Sequence, residues 1–174
     1  ELVIVKHTDA VGAWPVQHAY DTTKYFQFQD VDAASTGATV FDNTAPTNSV
    51  FTINATNAVT NQSGGDYIAY CFHSVSGYSK FGTYTGDATT DGSLSVTTGF
   101  KPAFLMVKRT DSTGGWVMVD SARNPNNPVN RYSQANVTDV EASGSVFNFT
   151  STGFTLLANL ADINANGGTY VYLA

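Results

Sequence analysis

One stretch of this chain is written twice. Val3-Ile4-Val5-Lys6-His7-Thr8-Asp9-Ala10-Val11-Gly12-Ala13-Trp14 returns 102 positions later as Leu105-Met106-Val107-Lys108-Arg109-Thr110-Asp111-Ser112-Thr113-Gly114-Gly115-Trp116. Lys, Thr, Asp, Gly and Trp recur in register. A second block, Phe51 to Tyr67, returns 103 positions later as Phe154 to Tyr170, with Phe, Thr, Ala, Ala, Asn, Gly, Gly and Tyr at identical spacing. Asn130-Arg131-Tyr132-Ser133-Gln134 answers Thr23-Lys24-Tyr25-Phe26-Gln27. Matched blocks in one order predict a tandem duplication of a unit of roughly 100 residues. The copies are expected at residues 1–75 and 76–174.

The unit reads as β structure. Leu2–Lys6, Trp14–Tyr20, Lys24–Phe28, Ser49–Ile53 and Tyr67–Phe72 are apolar or alternating runs bounded by Gly, Asn, Asp and Thr, and each predicts a strand. Tyr78–Tyr84, Ser93–Val96, the repeated hairpin 104–118, Asn130–Gln134, Ser145–Phe149 and Gly153–Leu157 follow in the second half. Pro15 lacks a ladder donor, which predicts an edge strand or a bulge there. Asp30–Asn48 reads as a surface excursion, and almost no helix is expected. With roughly seven or eight short strands per copy, the fold class is all-β, a duplicated small antiparallel β-sandwich of jelly-roll or lectin type. The first copy has no counterpart of the strand at Tyr78–Tyr84, so these residues read as an excerpt from a longer chain.

Only 13% of residues are charged and the net charge is −6, against about 25% charged in ordinary domains. The few basic residues form no stripe, so nucleic acid and membrane insertion are not expected partners. Cys71, the single cysteine, sits in an apolar run and reads as a small core residue.

No motif for catalysis, cofactor or metal binding stands out. There is no Gly-x-Ser-x-Gly elbow and no phosphate-cradling glycine loop. His7, His18 and His73 have no partners at zinc spacing, and Asp87–Gly92 lacks the ligand alternation of a calcium loop. Five residues are candidates for ligand contact: Trp14, Trp116, Tyr84, Arg123 and Asn126. An exposed aromatic stacks on sugar rings, but the repetition of the tryptophans makes a packing role common to both copies the simpler account. Asp9 and Asp111 read as turn caps. Lys6 and Lys108 read as solvent-face strand residues.

Gly65-Asp66-Tyr67-Ile68-Ala69-Tyr70-Cys71-Phe72, Gly77–Gly86, Gly99–Thr110, Asp120–Pro125 and Pro128–Tyr132 resemble a domain of unknown function that recurs in large virion-associated proteins of tailed, often marine, bacteriophages. That resemblance implies a virion-surface protein with other virion proteins as partners, an expected homo-oligomer. It supplies no catalytic residues. The expected function is therefore a non-enzymatic structural or adhesion module of a tail fibre, baseplate or capsid surface, with host-surface glycan as the further expected ligand. A free carbohydrate-binding module is the alternative, and a depolymerase fragment a third.

Overall fold

Short β-branched and aromatic runs separated by turn residues favour paired strands over helices, and the chain follows that preference. A computed structural model describes residues 1–174. The first half contains β1 (Leu2–His7), β2 (Pro15–His18), β3 (Lys24–Gln27), β4 (Ser35–Thr36), α1 (Ala38–Phe41), α2 (Ala58–Asn61) and β5 (Tyr67–Phe72). The second contains β6 (Phe81–Thr85), β7 (Ser95–Thr97), β8 (Phe104–Arg109), β9 (Trp116–Asp120), β10 (Val129–Gln134), β11 (Ala142–Thr150), β12 (Gly153–Leu156), α3 (Ala161–Asn164) and β13 (Thr169–Leu173).

All pairing is antiparallel, in two sheets. One has the order β4-β3-β2-β1-β5, the other β6-β13-β8-β9-β10-β11-β12-β7. Within the second, β11-β10-β9-β8-β13 retraces the first. The registers coincide too. Ile4 faces Val16 as Met106 faces Met118, Tyr25 faces Ser35 as Tyr132 faces Ala142, and His7 faces Tyr67 as Arg109 faces Tyr170.

The repeated residues have identifiable jobs. The Tyr170 hydroxyl donates to Ala161 O at 2.9 Å and accepts from Ala165 N at 2.7 Å, clasping the one-turn α3. Tyr67 clasps α2 the same way, through Ala58 O and Gln62 N. Helices of four residues cannot stand alone, so the clasp explains why Tyr recurs. The aspartates were expected to cap their own turns. Instead Asp9 accepts from Asp66 N at 3.3 Å and Asp111 from Thr169 N at 3.1 Å, tying each hairpin to the strand beside it.

Three apolar clusters hold the molecule. Leu105, Val107, Val119, Phe147, Phe154 and Tyr170 are among those filling the inside of the curled second sheet. Val3, Val5, Val40 and Phe41 cover the outer face of the first. Leu2, Val16 and Phe26 of the first sheet meet Met106, Trp116 and Val171 of the second in a shared layer.

Several expectations need correction. Asp30–Asn48 is not a bare excursion: it carries β4 and α1, and α1 buries Val40 and Phe41. Ser49–Ile53 forms no strand, and β6 starts only at Phe81. β2 lies inside the sheet; Pro15 is tolerated because it is the strand's first residue. Cys71 is exposed, not core, because β5 is the uncovered edge of its sheet.

Candidate functional site

The recurring Lys and Trp sit side by side across β8 and β9, where Lys108 faces Trp116. Lys6 and Trp14 hold the corresponding places in the first sheet, and Lys6 Nζ lies 5.7 Å from the Trp14 ring. Their surroundings differ. Trp116 is 3% exposed, packed edge-on to Phe26 at 5.7 Å and against Phe28 at 5.1 Å. Its indole N–H donates to Gln27 O at 3.3 Å. Trp116 is thus a keystone between the sheets and is closed to any ligand.

Trp14 is only half-buried. Its ring lies 6.5 Å from Tyr70, with 19° between the planes. Tyr70 is 41% exposed, and its neighbours Ile68 and Phe72 on β5 are 42% and 44% exposed. These three share a face with Lys6, Ile4 and Leu2, their cross-strand partners, and continue the shared apolar layer beyond the cover of the second sheet. The equivalent of Ile68 in the second half is Val171, which is buried. Four large apolar side chains thus form an open strip along the edge of the first sheet, backed by the Lys6 charge. Isolated exposed apolar residues need no explanation, but a contiguous strip marks a contact surface.

Lys108 corrects the solvent-face expectation: it is 0% exposed. Its ammonium donates to Asp32 O at 2.6 Å, Arg109 O at 3.0 Å and Val31 O at 3.4 Å, and lies 5.7 Å from the Phe26 ring. Burial pulls its pKa from 10.5 down to about 8, against the pull of Asp30, Asp162 and Asp32. Between pH 8 and 10.5 the unfolded chain holds a proton that the folded chain has released. Raising the pH through that window therefore favours the folded state, by up to about 1.4 kcal/mol per pH unit. Urea midpoints of wild type and Lys108→Met, followed from pH 7 to 10, are expected to diverge in the wild type's favour above pH 8; the tyrosines, common to both, cancel. A pH-independent difference refutes the assignment.

The other candidates do not join the strip. Tyr84 lies within the second core: its ring stacks on Tyr170 at 4.9 Å, its hydroxyl donates to Ile163 O at 2.7 Å, and burial pushes its pKa up. Arg123 and Asn126 are exposed on the loop after β9, beyond the end of the strand opposite Trp116. Arg123 is held by Asp120 at 2.6 Å, Glu141 at 3.0 Å and Ser133 at 3.0 Å, so its donors staple the loop to β10. Sequence reasoning missed Tyr70, Ile68 and Phe72. Their apolar run predicts a strand, and nothing in it signals an uncovered edge. No three His, Cys, Asp or Glu side chains converge.

Fold and surface together define an all-β protein of two antiparallel sheets packed face to face, with one apolar edge left open. The chain belongs to the family described as a domain of unknown function, DUF7483, whose model matches residues 1–174. Searches of curated proteins and of solved structures gave no match.

Proposed function

We propose that this chain is a non-enzymatic structural or adhesion module of a bacteriophage virion, displayed on a tail fibre, baseplate or capsid surface. The observation that carries a contact role is the open strip of Trp14, Ile68, Tyr70 and Phe72 on a weakly charged surface; the virion setting rests on the family resemblance. The module is a tandem duplication of an antiparallel β-sandwich unit, residues 1–75 and 76–174. In support, the five strands common to the halves have the same order and the same registers, and the tyrosine clasps and aspartate ties recur. Repeated around an oligomer, weak contacts of such strips give avidity. Labelling intact particles with an antibody fragment raised against the chain is expected to decorate the tail or the capsid surface in negative-stain micrographs. Particles left bare would overturn the virion reading.

A second reading, host-glycan binding, is favoured by the near-parallel Trp14 and Tyr70 rings, a platform on which sugar C–H faces stack. Trp14→Ala and Tyr70→Ala are expected to lower affinity for host surface polysaccharide at least about tenfold, a loss of 1.4 kcal/mol, with Tm little changed. Binding unaltered by either substitution removes this reading.

A further inference from the structure

We infer that the outer edge of β5, with the cavity beside it, is a docking site for a β6–β7-type ribbon supplied by a further unit of the same family. The inference rests on the duplication proposed above. In the second half, the strand equivalent to β5 is β13, and its outer edge is occupied. β6 pairs with it over five residues, from Thr169 opposite Thr85 to Leu173 opposite Phe81. β7 then pairs with β12, placing Val96 opposite Phe154. The first half has no strand at either place: β5 is the last strand of its sheet.

Three details of the first half match what a missing ribbon would leave behind. First, every residue of β5 after Tyr67 is exposed, including Ala69 and Cys71 on the face that turns away from the shared layer. Second, a cavity of about 520 Å³ opens among Val3, Val50, Phe51 and Cys71. Its counterparts Leu105, Gly153 and Phe154 enclose no such space, because Val96 is buried in the core with Leu105 and Phe154. Third, the repeated Asn changes partners. Asn164 Nδ2 donates to Thr89 O at 2.8 Å and its carbonyl accepts from Asp87 N at 3.0 Å, anchoring the β6–β7 connection. Asn61, its equivalent, donates to Asn54 O and Ala55 O of its own loop.

The same correspondences define the occupant. It is an antiparallel extended segment patterned like Phe81-Gly82-Thr83-Tyr84, followed by a polar turn and a short strand with an apolar residue at the place of Val96. Its tyrosine stacks beside Tyr67 as Tyr84 stacks on Tyr170, and its apolar residue enters the cavity against Phe51. Main-chain pairing along an open edge supplies affinity, and alternate side-chain pockets supply selectivity. A second copy of this chain is a poor donor. Its own β6–β7 is already committed to β13, β12 and Asn164, so the ribbon comes from a further repeat unit. The face bearing Trp14 stays open, since the ribbon adds beside β5 and not over it.

Cys71, the only cysteine and exposed on β5, reports on occupancy. A synthetic peptide of residues 78–98 is titrated onto the full chain while the rate of Cys71 modification by a soluble thiol reagent is followed. Saturable slowing by at least about tenfold is expected, with no effect from a peptide of scrambled order. In a second arm, a copy of residues 76–102 is joined directly ahead of Glu1, reproducing the connection that leads from β7 into β8. This fusion is expected to protect Cys71 to the same degree and to raise Tm by about 5 °C. Unchanged Cys71 reactivity and Tm in both arms overturn the inference. So does a concentration-dependent dimer that protects Cys71 regardless of peptide, which assigns the edge to a second copy. Either failure leaves the matched registers, and the duplication they support, untouched.

Discussion

Trp116→Ala is expected to destabilise the protein by about 3–5 kcal/mol, and Trp14→Ala, at the equivalent position, by less than about 1 kcal/mol. The two tryptophans follow the same turn of the same repeated hairpin, so local sequence gives no reason for them to differ. The difference comes from what lies above each ring. Trp116 fills the layer between the sheets against Phe26 and Phe28, and its removal leaves a hole that two packed sheets cannot close by moving one side chain. It also removes the indole N–H bond to the Gln27 carbonyl, which keeps only the Asp30 amide as donor at 3.3 Å, a smaller added cost. Trp14 loses a partly exposed ring and its neighbourhood with Lys6 and Tyr70, and water replaces it. Against a total stability of about 5–15 kcal/mol for a domain, the first change approaches unfolding. Urea denaturation of the two variants decides it. Equal losses would mean that Trp116 does not hold the sheets together.

The comparison marks where sequence stops being informative. Strand positions are readable wherever an apolar or alternating run is bounded by turn residues, as in β1, β5, β8 and β10. The four-residue helices were not readable, because one turn is too short for a 3.6-residue period to appear. What α2 and α3 need instead is a hydroxyl from Tyr67 or Tyr170, a contact across several residues of loop. Burial of the shared layer was not readable either. Lys6 and Lys108 carry the same local signal, yet one reaches backbone carbonyls of its own turn and the other lies beneath the opposite sheet. That outcome depends on the offset between the two sheets, which is a property of the whole packing. Of the five candidate contact residues, only Trp14 lies on the open strip. The strip itself was hidden because an apolar run such as Tyr67–Phe72 reads as buried, and at an unpaired edge it is not.

The same contrast should appear in the outer cores. Phe154→Ala is expected to cost about 3–5 kcal/mol, and Phe51→Ala, its equivalent, no more than about half of that. Phe154 is 0% exposed and meets Tyr84, Phe147 and Tyr172 edge-on, at 6.0, 5.8 and 5.5 Å. Edge-to-face contacts of this kind add to the burial of the ring itself, and β6 and β7 fix the walls around it. Phe51 packs against the cluster of Val3, Val5, Val40 and Phe41 on one side and borders the open cavity on the other. A ring with one face on empty space has fewer contacts to lose. Thermal melts of both variants test this, and the fusion that carries a second β6–β7 ribbon sharpens it. There the ribbon closes the open side, so Phe51→Ala should become nearly as costly as Phe154→Ala. If Phe51→Ala is already that costly in the unmodified chain, the first core is closed as it stands and no ribbon is needed to complete it.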